Sequence, residues 1–439
     1  MAKIKIKTAR TSPRIKSSRK KRVLVWADSG MATTGFGTVS KNILKALHNT
    51  GRFEIEHFAI NHNGTFSTKE FPYQFLSTRL DHKDPIHGRQ LFLNLVRDND
   101  YDIVFVINDA AVTHEPAKLL QKVFDVRSAA GRKIPSVIYY YPVDCTLPKS
   151  VSGMVEHADR VVAYTHFARE ETKRTGLDCT DIVYHGTDIH SFYPLPSDQR
   201  RTLRKQIFGI DDDTFLWINV NRNTPRKDVA KTILAFSEFK KQVPNSKLYL
   251  HMSPIDSVGS LAINLQYAID HLGISNKDIA FPVNFNSGQG YPVEVLNQLY
   301  NCGDAFISTA LGEGWGLTTT EAMSCGIPVL LPDNSTTPEI LGEEERGYIY
   351  PCKEMVFLEI SGYRKMGRTE DIVKKMIELH TDVQLERIQP GSTKLSKRTK
   401  EARKFVEEYS WENINKHWIK IFDETDSYYQ KQSTEPESL

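Results

Sequence analysis

Residues 305–331 read Ala-Phe-Ile-Ser-Thr-Ala-Leu-Gly-Glu-Gly-Trp-Gly-Leu-Thr-Thr-Thr-Glu-Ala-Met-Ser-Cys-Gly-Ile-Pro-Val-Leu-Leu. The apolar run Ala305–Ser308 is strand-like. A loop broken by Gly312, Gly314 and Gly316 follows it. A short helix is expected from about Thr318 to Gly326, and Pro328 precedes the next apolar run, Val329–Leu331. Strand, glycine loop, helix, strand is the repeating unit of a parallel α/β sheet. In such sheets ligands sit beyond the carboxyl ends of the strands. Glycines there admit a ligand to backbone N–H groups, and a helix N-terminus favours a phosphate. Thr318-x-x-Glu321 also fits a capping box, so Glu321 is open to two readings, helix cap and ligand.

The same unit recurs on both sides of this stretch. Upstream, strands are expected at Val23–Ala27, Phe53–Ile60, Ile103–Ile107, Val137–Tyr141, Arg160–Tyr164 and Asp181–Tyr184, with helices such as Gln90–Asp98 and Pro116–Ala130 between them. Phe192-Tyr-Pro-Leu-Pro196 breaks the pattern. A second series follows at Phe215–Val220, Leu248–Met252, Ile279–Val283, Ala305–Ser308, Val329–Leu331 and Tyr348–Tyr350. Short apolar strands alternating with helices indicate mostly parallel, doubly wound sheets. The expected division is a basic tail over 1–22, an α/β half over 23–200, a second over 201–404 and a C-terminal helix over 405–439.

A chain of 439 residues exceeds one ordinary core. Its 40% hydrophobic and 25% charged composition fits a globular protein, with no apolar run of transmembrane length and no N-terminal apolar segment of the secretory kind. Cys145, Cys179, Cys302, Cys325 and Cys352 show no C-x-x-C spacing and read as reduced thiols in a cytoplasmic setting. The net charge of +3 hides an asymmetry. Ten Lys/Arg and no acidic residue fall in residues 1–22, which leaves the remainder mildly acidic.

Two further loops carry candidate residues. Asn221-Arg222-Asn223-Thr224-Pro225-Arg226-Lys227 follows the first strand of the second half, and Arg222 and Lys227 lie five apart across a proline turn. A guanidinium fork and a compact ammonium could hold one diphosphate. Gly35-Phe-Gly37-Thr-Val-Ser40 follows the first strand but lacks the third glycine of a dinucleotide fingerprint. The second strand ends in Ile60-Asn61-His62-Asn63, with no acid for a ribose. A nicotinamide site is therefore disfavoured, and the absence of G-x-x-x-x-G-K-[ST] excludes a P-loop. Asp211-Asp212-Asp213 reads as a solvated turn, so no metal site is expected.

Taken together, Glu313-x7-Glu321 with Ala322–Val329, Arg222-x4-Lys227, His185-Gly186-Thr187-Asp188 and Gly35/Gly37 resemble family 4 of the glycosyltransferases over about 400 residues. The resemblance implies a GT-B fold, two facing Rossmann-like domains with a C-terminal helix crossing back to the first. It implies retention at the anomeric carbon, and a nucleotide-diphosphate sugar as donor with no separate cofactor. Arg222 and Lys227 would hold the diphosphate, Glu321 the ribose and Glu313 the donor sugar. Gly316, Leu317 and Thr318 would offer N–H groups to the phosphate. Asn284 would lie near the base, and Gly35, Gly37 and Gly186 would also line the donor side. The chain departs from the family at Tyr139-Tyr-Tyr-Pro-Val-Asp144, where many members carry a histidine. Asp144 is the polar group left for that role, and Asp109 and His114 are weaker candidates.

The acceptor stays open. Glycan, lipid or small-molecule hydroxyls suit the resemblance. The basic tail equally suits an anionic membrane surface or DNA, as in phage enzymes that act on hydroxymethylated bases, where the chain would work in the host cytoplasm. A sugar-nucleotide-binding protein without turnover is the non-enzymatic alternative.

Overall fold

The computed structural model describes residues 19–62, 64, 69–258, 261–285, 290–358 and 362–432. Most of the basic tail thus lies outside the described residues. Its last residues do not, and they depart from the expected boundary: the first strand begins at Lys21, not Val23. Arg22 N–H donates to the Asp102 carboxylate at 2.8 Å, and the Arg19 guanidinium bonds the same carboxylate at 2.8 Å. Asp102 ties these residues to the sheet through the Arg22 backbone N–H, 80 residues away, and the Arg19 guanidinium, 83 away, which local composition cannot reveal.

The first half is a seven-stranded parallel sheet: β1 (Lys21–Asp28), β2 (Phe53–Ile60), β3 (Gln74–Ser77), β4 (Ile103–Ile107), β5 (Ser136–Tyr141), β6 (Arg160–Ala163) and β7 (Asp181–Ile182), in the order β3-β2-β1-β4-β5-β6-β7. Helices cover both faces, so the central strands are apolar throughout rather than alternating. In β4 and β5 every residue is buried. The helix expected from Pro116 starts earlier, at Ala110, and carries Pro116 inside it.

The second half repeats the plan with β8 (Phe215–Val220), β9 (Ser246–His251), a β10 (Ile255–Val258) and β11 (Leu261–Asn264) hairpin, β12 (Ile279–Ala280), β13 (Ala305–Ile307), β14 (Val329–Pro332) and β15 (Tyr348–Tyr350). Its main sheet runs β12-β9-β8-β13-β14-β15, all parallel. Both sheets grow one way from their first strand and then the other. The order therefore reverses between β1 and β4 and between β8 and β13, the place where open sheets leave a crevice. A second hairpin, β16 (Glu354–Leu358) with β17 (Gly362–Met366), follows β15. Neither hairpin, nor β3, was expected. Each strand has only four or five residues, and those of the second hairpin mix polar and apolar residues.

The C-terminal region expected as one helix is two, Lys394–Glu408 and Trp411–Gln432, broken at Tyr409-Ser410. Phe405 and Val406 pack in the second half's core with Trp315 and Ala322. Trp411, Ile414, Trp418, Ile421 and Phe422 pack in the first half's core with Val25, Phe105 and Tyr140. The crossing therefore falls at 409–411 rather than at 405. Thr187 fixes it: its N–H donates to Tyr409 O at 3.0 Å and its carbonyl accepts from Trp411 N–H at 3.2 Å. Burying Trp418 and Phe422 contributes about 2 kcal/mol each to holding the last helix on the first half. This is the GT-B arrangement. No helix among the described residues is long and apolar enough to cross a membrane.

Candidate active site between the two halves

The carboxyl ends of the two sheets face each other. A Cβ on Gly35, at the start of the first helix, would lie 3.6 Å from Leu317 of the other half, and one on Gly314 would lie 2.7 Å from Pro142. Gly312 is tighter still: a Cβ there would stand 1.9 Å from the Asp144 carbonyl oxygen. The glycine loop is thus pressed against the opposite wall, and side chains at 312 and 314 would hold the halves apart.

Glu313 is the centre of an ion cluster. Its carboxylate accepts from Lys227 Nζ and, at 3.1 Å, from Arg226. Arg226 reaches on to Asp144 at 3.3 Å, and Asp144 accepts from Arg364 of β17 at 2.8 Å. The turn Pro225–Lys227 that carries both cations is pinned to the glycine loop by Leu311 N–H donating to Arg226 O at 2.8 Å. Ser335 Oγ accepts from Glu313 N–H at 2.9 Å and braces the loop from behind. Burial alone would raise the Glu313 pKa, but the Lys227 and Arg226 charges and hydrogen bonds outweigh it and hold the carboxyl down at about 2. Glu313 is therefore ionised throughout the working pH range.

The helix Leu317–Ser324 begins after Gly316, whose φ of +98° only glycine adopts readily. No side chain caps it, so the Leu317 and Thr318 N–H groups remain at an open helix end. The capping-box reading of Thr318-x-x-Glu321 therefore fails, because the cap is two residues earlier than that motif requires. Glu321 lies within the helix and accepts from the Tyr300 hydroxyl at 2.8 Å. Burial pushes its pKa up to about 7; the Tyr300 hydrogen bond opposes the rise and Asp188 adds to it.

Several expected site residues stand elsewhere. Arg222 is 59% exposed and pairs with Asp256 at 3.0 Å rather than with the cluster. Arg226, one residue before Lys227, stands in the cluster instead. Gly186 packs against Trp411, whose Cα would be 2.5 Å from a Cβ there; its smallness serves the crossing helix, not a donor. Gly37 likewise packs internally, since a Cβ would lie 2.4 Å from Ala32 O. Asn284 sits after β12 with φ +53°, and the neighbouring Phe285 ring packs on His251 and Tyr291. Asp144 stands in the cluster, paired with Arg226 and Arg364.

Sequence reasoning missed Arg226, whose only signal was adjacency to Lys227 in a turn, and Arg364, which lies on a hairpin with no signal at all. Arg364 has a side chain only 2% exposed.

Residues 200–357 match the family described as glycosyl transferases group 1. An uncharacterized glycosyltransferase of Methanocaldococcus jannaschii is 27% identical over 265 residues, 57% of this chain and 61% of that protein. A D-inositol 3-phosphate glycosyltransferase of Mycolicibacterium smegmatis is 26% identical over 180 residues, 40% of this chain and 38% of that one. The chain thus aligns to less than two thirds of the length of either relative. Among solved structures, Anabaena HepE in complex with UDP-glucose superposes with a TM-score of 0.65 at 17% identity, covering 92% of this chain and 99% of that one.

Proposed function

We propose, from a chain whose residues 200–357 are a glycosyl transferases group 1 domain in a GT-B fold, that the protein is a retaining glycosyltransferase moving a sugar from a nucleotide-diphosphate sugar to a hydroxyl acceptor. The observation that carries this reading is the Lys227–Glu313–Arg226 cluster beside the open N-terminus of the Leu317–Ser324 helix. Two cations and two free amides converge where a diphosphate would lie, with a carboxylate for sugar hydroxyls among them. The UDP-glucose bound by the structurally similar Anabaena protein supports a donor of this class.

The chemistry follows from the charges. When the donor binds, Lys227 and Arg226 turn from Glu313 to the diphosphate, and Glu313 is released to accept from the donor sugar. The anomeric carbon–oxygen bond breaks, and negative charge grows on the leaving diphosphate. The cations, already turned to the diphosphate on donor binding, and the amides stabilise that charge. The acceptor oxygen attacks the face the diphosphate leaves, and a diphosphate oxygen takes the acceptor proton. The anomeric configuration is kept. Glu313 is not assigned as a nucleophile, because in this fold the leaving diphosphate can itself take the acceptor proton on the same face. Glu321, beyond the helix start, accepts from the ribose hydroxyls.

A panel of sugar nucleotides, read by nucleotide release and product mass, tests the reading. At least one donor is consumed by the wild-type protein and not by Lys227→Ala. A product of inverted anomeric configuration refutes retention, and donor binding without any consumption favours the non-catalytic alternative.

A further inference from the structure

The two halves also meet outside the ion cluster. The helix His166–Arg174 starts after β6, and the amides of its first turn need acceptors that no intrahelical carbonyl supplies. Thr165, at the N-cap, serves one: its hydroxyl oxygen accepts from Ala168 N–H at 3.1 Å. Arg169 N–H bonds back to Thr165 O at 3.1 Å. The two remaining amides are served by the other half. The Glu339 carboxylate accepts from His166 N–H at 2.9 Å and from Phe167 N–H at 3.3 Å. The helix has no acidic residue in its own first turn, so Glu339 also supplies the negative charge that a helix start favours. The Tyr184 hydroxyl, again from the first half, is the third donor to this carboxylate.

Glu339 is joined to the glycine loop by a short, well-braced path. It lies in the helix Thr337–Leu341, which Arg346 holds by donating to Glu339 O at 3.0 Å and Ile340 O at 2.6 Å. The residues just before that helix wrap the loop that bears Glu313. Asn334 Nδ2 donates to Ala310 O at 3.0 Å, and Ser335 Oγ accepts from Glu313 N–H at 2.9 Å. Thr336 Oγ1 donates to Glu313 O at 3.2 Å and to Trp315 O at 3.3 Å. Ser335 holds a φ of +42°, which a residue other than glycine keeps only where its surroundings impose it. Tyr184 touches the same loop from the first half, its ring centroid 4.8 Å from that of Trp315.

We propose that Glu339 is a positioning residue: it sets the relative position of the halves at which the cleft is closed, and so holds the Glu313 loop where the donor sugar is met. Its effect on turnover rests on the glycosyltransferase reading; its effect on the cleft does not. The acceptor belongs to one half and all three donors to the other. A hydrogen bond fails beyond about 3.5 Å, so the three are made together at one relative position. Without the carboxylate, two helix amides and the charge at the helix start are left to water, and the closed position loses its advantage. Donor binding must then supply the closure, which lowers apparent affinity in proportion to the closed fraction. Chemistry in the saturated complex is spared, because the carboxylate's partners are His166, Phe167 and Tyr184 and not the ion cluster. Asp144 also crosses the cleft, to Arg226 and Arg364, so loss of Glu339 widens the cleft without freeing the halves.

Small-angle scattering of the full chain without ligand reads the cleft, and steady-state kinetics on the preferred sugar nucleotide read the consequence. Glu339→Ala should show a larger radius of gyration than wild type, returning to the wild-type value at saturating donor. Its KM for the donor should rise about tenfold, the scale of one charge-assisted hydrogen bond, with kcat within about threefold of wild type. Glu339→Gln keeps a carbonyl oxygen for the helix amides and should bring KM back to within about threefold of wild type. Tyr184→Phe keeps the ring on Trp315, removes one donor, and should shift KM and radius in the same direction as Glu339→Ala by a smaller amount. An unchanged radius of gyration in Glu339→Ala overturns the proposal, whether or not its denaturant midpoint falls. So does a fall in kcat in place of the rise in KM, or an equal KM in the alanine and glutamine variants. If the wild type binds no sugar nucleotide, the glycosyltransferase reading fails, and the scattering comparison by itself decides whether Glu339 sets the closed position.

Discussion

Glu321→Gln should make the ligand-free protein more stable at pH 8 while weakening its hold on the donor. The carboxyl titrates near 4.5 when exposed and near 7 in the fold, where burial opposes ionisation. A shift of that size is worth about 3 kcal/mol, at 1.36 kcal/mol for each pH unit. The sign follows from proton counting. Between pH 4.5 and 7 the folded state keeps the proton and the unfolded state loses it, so stability falls as pH rises through that window. Below 4.5 both states hold the proton and the group costs nothing. Above 7 the folded state carries the full cost of a buried anion with one hydroxyl partner. Glutamine has no such titration, so the two proteins should match near pH 4.5 and diverge by up to about 3 kcal/mol by pH 8. Donor binding runs the other way. If only the ionised carboxylate accepts both ribose hydroxyls, wild-type affinity should fall about tenfold from pH 8 to pH 6, following the ionised fraction of a group with pKa 7. Denaturant unfolding at each pH reads the first effect and calorimetric donor titration the second. Parallel stability curves for the two proteins from pH 5 to 8, or a pH-dependent affinity of equal slope in Glu321→Gln, would refute the reasoning.

Four further outcomes follow from the structure. Arg226→Ala and Lys227→Ala should each lower kcat by about a hundredfold or more, the scale of losing one preorganised charge partner in a transition state. Arg222→Ala, exposed and paired with Asp256, should cost no more than about threefold, as a surface pair is worth about 1 kcal/mol or less; steady-state kinetics on one donor compares all three. Gly312→Ala should leave each half folded but hold the cleft open against the Asp144 carbonyl, which small-angle scattering reads as a larger radius of gyration beside a collapse of kcat/KM. Gly186→Ala should act on stability instead, by about 1–3 kcal/mol of overpacking against the Trp411 backbone, seen as a lower denaturant midpoint with KM for the donor unchanged.

The sequence by itself determined the two doubly wound sheets. Strands such as Val104-Phe105-Val106 and Trp217-Ile218 are buried on both faces, and that burial writes itself as unbroken apolar runs. It also determined the strand–glycine–helix loop at 312–324, because glycine spacing and helix length are local properties. The site was legible in part. Glu313, Lys227 and Asp144 were candidates in the sequence because each follows a strand end, and the structure brings them into one ion cluster. That Arg226 rather than Arg222 joins the cluster was not legible, because which of two nearby guanidiniums turns inward depends on Asp256 and Glu313, far away in the chain. Arg364 and Asp102 were invisible for the same reason: an ion pair is made by proximity across the fold, and charge alone does not say with which partner. Tertiary structure likewise decided the break at Tyr409-Ser410, where one helix seen in the apolar pattern serves two cores. Local periodicity reports which residues are buried; only packing reports against what.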